Sequence, residues 1–107
     1  MNFGLTADSL ESVRLILARH PAVSEAIIFG SRALDRADPR SDVDLALCGD
    51  LQPRDAEHIA LELDELPLPV HFDVQAMNSI RHRELREHIS RVGQSLYRRA
   101  GEVTNIG

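Results

Sequence analysis

Two short apolar runs, joined by a glycine-serine step and a polar loop, limit what this chain can fold into more than any other feature. Ala26-Ile27-Ile28-Phe29 leads directly into Gly30-Ser31. Ten residues later Asp42-Val43-Asp44-Leu45-Ala46-Leu47 begins. In the second run Val43, Leu45 and Leu47 alternate with Asp42, Asp44 and Ala46, the period of a strand with one face in the core. Side chains two apart on a strand point the same way, with α-carbons about 6.5–7 Å apart. The carboxylates of Asp42 and Asp44 can therefore reach a common point off one strand. Such a pair suits a hard divalent cation, above all Mg²⁺, which takes a few carboxylates together with phosphate oxygens.

The rest of the chain reads as the frame that holds this pair opposite Gly30-Ser31. Asp8-Ser9-Leu10-Glu11 has the form of a helix start, with Asp8 as N-cap and Glu11 at the capping-box position. Leu10, Val13, Leu17 and His20 follow at helical spacing, and Pro21 stops the helix. Val23 to Phe29 is the first strand, Ser31 to Leu34 a short helix, and Asp35 to Ser41 a polar loop. The second strand covers Val43 to Cys48. A helix from Arg54 to Leu66 carries Ala56, Ile59, Ala60, Leu63 and Leu66 on its apolar stripe. Val70, Phe72 and Val74 alternate with His71, Asp73 and Gln75, a third strand that again places a carboxylate on its polar face. Asn78 can cap a last helix with Leu85, Ile89 and Val92 buried and Gly93 at its end. Ser95 to Arg98 is a short edge strand, and the chain from Gly101 onward is expected to fray. The pattern predicts an α/β fold: a small mixed sheet of three or four strands with helices packed on it, in a single domain over residues 1–107.

Composition narrows the chemistry. All twelve basic residues are arginine, which excludes a Walker-type phosphate lysine, a Schiff-base lysine and a Ser-Lys dyad. The single cysteine, Cys48, excludes an internal disulfide and a cysteine-rich zinc site. A net charge of −5 argues against nonspecific nucleic-acid binding, so no direct nucleic-acid contact is expected. No apolar run approaches the roughly 18 residues of a membrane span, and the N-terminal residues do not form a signal peptide. The expected location is the cytoplasm.

Three features raise the Asp-x-Asp pair above an ordinary polar strand face. Asp42 and Asp44 begin a strand whose other face is apolar, which fixes them. Asp73 can join them if its strand is adjacent, since neighbouring strands lie about 4.8 Å apart. Gly30-Ser31 ends a strand at a sharp turn, where backbone N–H groups and a hydroxyl can hold phosphate. Three clustered carboxylates repel each other, and two Mg²⁺ ions about 3.5–4 Å apart would neutralise them and clamp a triphosphate. The other candidates are weaker. Arg32, Arg36 and Arg40 read as solvated loop charges more readily than as phosphate contacts. Arg83 and His88 read as a solvated helix face, His82 and His88 do not share a face for a zinc pair, and His71 lies on the polar face with Asp73.

At these residues the chain resembles a known family. Gly30-Ser31, ten residues, then Asp42-Val43-Asp44 is similar to the signature of the DNA polymerase β-type nucleotidyltransferase superfamily. Within it the chain resembles the minimal nucleotidyltransferase (MNT) antitoxins that pair with HEPN toxins. Phe72-Asp73-Val74 matches the strand carrying the third carboxylate. Leu85-Arg86-Glu87-His88-Ile89, Gly93 and Leu96-Tyr97 resemble the closing helix and strand. Asp35 stands where many relatives have a second glycine, which adds negative charge near a triphosphate. The resemblance implies that Asp42, Asp44 and Asp73 are the catalytic and metal-binding residues, with two Mg²⁺ ions expected between them. It implies that Gly30 and Ser31 bind the nucleotide, and that ATP is the substrate. The implied reaction moves AMP onto a tyrosine hydroxyl of a HEPN-type ribonuclease toxin, in a hetero-oligomer with that toxin. The alternatives are neutralisation by binding alone, and transfer to a small molecule or RNA end.

Overall fold

The computed structural model describes residues 3–34, 38 and 40–99. Its elements are helix α1 (Ala7–Ala18), strands β1 (Val23–Phe29) and β2 (Val43–Gly49), helix α2 (Pro53–Asp64), strand β3 (Phe72–Ala76), helix α3 (Arg83–Val92) and strand β4 (Gln94–Arg98). A single 3₁₀ turn, Met77–Ser79, links β3 towards α3. The four strands form one mixed sheet in the order β3-β2-β1-β4. β1 runs antiparallel to both β2 and β4, whereas β2 and β3 are parallel. A parallel pair needs a crossover, and α2 supplies it. This is the α/β mixed sheet that the alternating runs predict.

The two faces of the sheet have different cores. On one, Val43, Leu45 and Leu47 of β2 and Phe72 of β3 pack with Leu10, Val13 and Leu17 of α1 and Ile59 and Leu63 of α2. On the other, Phe29 of β1 and Ala46 of β2 pack with Ile80 and Ile89, with Ile27 and Leu85 partly buried beside them. Side chains alternate across a strand, so Asp44, between Val43 and Leu45, falls on the second, thinner face. α3 covers only part of that face. Its end is seated closely because Gly93 has no side chain: a Cβ there would lie 2.6 Å from Ile27 Cγ2.

Several boundaries differ from the sequence expectation, each for a local reason. Thr6, not Asp8, caps α1, its hydroxyl accepting from the Ser9 N–H at 3.0 Å. Asp8 lies instead in the first turn, where its charge favours the helix dipole. His20 lies beyond α1, its Nε2 bonded to Glu62 Oε1 at 2.6 Å. That bond holds the Glu62 carboxyl below its ordinary pKa. α2 starts at Pro53 and stops at Asp64, whose carboxylate accepts from the Phe72 N–H at 2.9 Å and starts β3 there rather than at Val70. Asn78 caps nothing. His82 caps α3, its Nδ1 accepting from the Leu85 N–H. Residues 31–34 form a turn rather than a helix, closed by Leu34 N–H to the Gly30 carbonyl at 3.3 Å. The expected frayed end from Gly101 lies outside the described residues.

Candidate active site

The site is built where β1 ends and β2 begins. Phe29 is the register partner of Asp44 across the antiparallel pair, and Asp44 is the register partner of Asp73 across the parallel pair. The third carboxylate thus comes from the strand beside β2, level with Asp44, as the adjacency condition required. Asp42 lies just before β2 and is exposed, Asp44 is half-buried, and Asp73 is exposed. The Asp44 carboxyl is pushed above its ordinary pKa, first by burial, then by the charges of Asp73 and Asp42. His88 and Arg32 oppose that push.

Gly30 explains how the turn meets the carboxylates. Its φ is +77°, a left-handed conformation that side-chain-bearing residues rarely adopt. A Cβ at this position would collide with Asp44 Oδ2 and lie 3.4 Å from Asp44 Cγ. Glycine therefore serves twice: it permits the turn, and it lets the backbone approach the carboxylate. Ser31 follows and is half-buried.

Arg32 is not a solvated loop charge. It is 1% exposed, buried within the fold. Its Nε and Nη2 donate to the Ser41 carbonyl at 3.1 and 2.8 Å, and its Nη1 donates to the Phe3 carbonyl at 2.8 Å. Ser41 immediately precedes Asp42, so this guanidinium ties the start of β2 to the turn after β1. Such a structural arginine leaves no periodic signal in a loop sequence. Arg40 is exposed, and Asp35 and Arg36 lie outside the described residues.

The remaining candidates fall into place around this corner. His71 Nδ1 is 3.1 Å from Asp64 Oδ2, a partner at the foot of β3. Arg83 is exposed as expected and pairs with Glu87 at 3.7 Å. His88 departs from the expected solvated face: it is half-buried, with its ring edge-on to Phe29. Cys48 lies in β2, and burial raises its thiol pKa.

Among the described residues, no three histidine, cysteine or acidic side chains are gathered closely enough to hold a metal ion by themselves. The donor chemistry nevertheless fits Mg²⁺, which is bound by one or two carboxylates plus substrate phosphates rather than by an all-protein cage. The mutual repulsion that raises Asp44 is what a cation would relieve. Hard oxygen donors beside a glycine turn, on an open sheet face, can receive a metal–polyphosphate complex.

The fold is that of a nucleotidyltransferase. The model of the family described as polymerase beta, nucleotidyltransferase matches residues 11–102, and the chain belongs to that family. Solved structures give the same fold. The chain is similar to the toxin–antitoxin MntA–HepT, with TM-score 0.67 and 16% identity over 91% of this chain and 76% of the other. It is also similar to a toxin–antitoxin structure with AMP-PNP, with TM-score 0.64 and 18% identity over 92% and 77%. A third likeness is to a tri-AMPylated Shewanella oneidensis HEPN toxin in complex with MNT antitoxin, with TM-score 0.60 and 17% identity over 88% and 73%. No curated protein matches the chain in sequence. No helix among the described residues is long and apolar enough to cross a membrane.

Proposed function

We propose that this nucleotidyltransferase moves AMP from ATP to a tyrosine hydroxyl of a HEPN-type ribonuclease partner and thereby silences it. The observation that carries the reading is the Gly30 turn seated on Asp44, with Asp73 in register beside it. Support for the acceptor comes from similar folds, one holding AMP-PNP and one in complex with an AMPylated HEPN toxin. In this reading the protein works in the cytoplasm as a hetero-oligomer with its partner.

The N–H groups of the Gly30 turn and the Ser31 hydroxyl hold the β- and γ-phosphates. Asp42 and Asp44 would hold Mg²⁺ with the triphosphate, and Asp73 would share in a second ion. Bound there, Mg²⁺ supplies charge neutralisation at the triphosphate and the departing pyrophosphate. The tyrosine oxygen forms a bond to the α-phosphorus as the bond from that phosphorus to the bridging oxygen breaks. Asp73 takes the phenolic proton. Arg32 acts at one remove, by fixing Ser41 and so the approach of Asp42.

Intact-mass measurement of the partner after co-expression tests this. Transfer adds about 329 Da for each AMP group, and the gain should vanish with Asp42→Asn or Asp44→Asn. A tight complex whose partner gains no mass would overturn transfer in favour of neutralisation by binding. Mass gained by an RNA end or a small molecule instead would overturn the protein acceptor.

A further inference from the structure

The second face of the sheet carries a basic side chain that the reaction above does not use. The chain has no lysine. Arg32 is turned inward onto the Ser41 and Phe3 carbonyls, and Arg86 donates to the Met77 and Ile80 carbonyls. His88 is placed differently. Its ring centroid lies 6.2 Å from that of Phe29, with the planes at 80°. Phe29 is both the register partner of Asp44 and the residue before Gly30. The imidazole therefore stands over β1, on the carboxylate face and beside the glycine turn, whereas Asp73 approaches from β3 on the other side.

Three observations make this more than proximity. α3 is held in place by Ile89 in the core and by Gly93 against Ile27. Among the described residues, the His88 ring nitrogens have no hydrogen-bond or ion-pair partner. No buried side-chain nitrogen or oxygen among those residues lacks a partner, so these nitrogens reach solvent. His88 is also one of the two groups whose charge opposes the upward push on Asp44.

Resting on the nucleotidyltransferase reading, we propose that His88 is a phosphate-binding residue, donating an N–H to the β- or γ-phosphate of the nucleoside triphosphate. It supplies a cationic contact from α3, on the face of the sheet that carries Asp44.

The test is calorimetric titration of Mg·ATP into wild type, His88→Gln and His88→Arg, with thermal unfolding of each unliganded protein. His88→Gln should weaken Mg·ATP binding about tenfold or more, the loss expected for a charge-assisted hydrogen bond. Its unliganded unfolding midpoint should match wild type. His88→Arg should restore most of the affinity. Wild-type affinity in His88→Gln would overturn the assignment. So would equal weakness of the arginine and glutamine variants, or loss of affinity in step with a lowered midpoint, which would make His88 a packing residue for Phe29. If wild type itself binds no Mg·ATP, the nucleotidyltransferase reading fails first and this assignment falls with it.

Discussion

Replacing Gly30 with alanine separates two effects that meet at one atom. The first is backbone strain. Gly30 has φ +77°, and holding an L-residue there costs about 1–2 kcal/mol. For a domain of this size that lowers the melting midpoint by roughly 5–15 °C. The second is steric. The new Cβ would collide with Asp44 Oδ2, the far end of a side chain, so the carboxylate turns aside while the sheet remains intact. Turning costs little stability but moves an oxygen that the proposed site needs, so Mg·ATP affinity should fall at least about tenfold, roughly 1.4 kcal/mol. A double-mutant cycle with Asp44→Ala distinguishes the two. In that background the strain persists, so Gly30→Ala should still lower the midpoint, whereas it should no longer weaken nucleotide binding further. Circular dichroism melts and calorimetry on the four proteins provide the readout. A Gly30→Ala protein as stable as wild type would refute the left-handed turn. Full additivity of the two changes in binding would refute the contact between Gly30 and Asp44.

Asp73→Asn should keep Mg·ATP binding within about tenfold of wild type while transfer to the partner falls at least about a hundredfold, measured by calorimetry and partner mass; joint loss would assign Asp73 to the first ion. Arg32→Leu should destabilise by about 2–3 kcal/mol, because it leaves the Ser41 and Phe3 carbonyls without their charged donor; denaturant unfolding with an unchanged midpoint would show that those bonds contribute nothing. Glu62 gives a pH dependence. Its hydrogen bond from His20 lowers its folded pKa, so between the two pKa values the unfolded chain binds the extra proton and stability rises with pH. The stabilisation is complete above the ordinary carboxylate value and is lost as pH falls through the lowered one. The wild-type advantage over Glu62→Gln should therefore shrink on acidification from about pH 6 to about pH 3, and an advantage that stays constant in acid melts would refute it.

Local pattern made much of this protein readable. The alternation from Val43 to Leu47 marked a strand because a two-residue period is written into consecutive side chains. The Gly30-Ser31 step marked a turn because φ above zero is a single-residue property. Helix caps were less readable. Thr6 and Asp8 are both competent caps two residues apart, and only the position of α1 on the sheet selects one. Ser31 to Leu34 has a helical composition but forms a turn, with Arg32 drawn inward to the Ser41 carbonyl.

By itself the sequence determined that a strand begins at Val43 with Asp44 on its polar face, that a glycine turn precedes it, and that no lysine can serve the site. All three follow from covalent neighbours or from composition. The tertiary structure decided which strand lies beside β2 and in what register, and so whether Asp73 faces Asp44 or sits elsewhere on the sheet. It also decided that Arg32 is buried and that His88 stands over Phe29, the register partner of Asp44. Strand partners and register are chosen by burying apolar faces against distant parts of the chain. A residue such as His88 takes its role from whichever strand its helix covers, and the spacing of its own sequence carries no record of that strand.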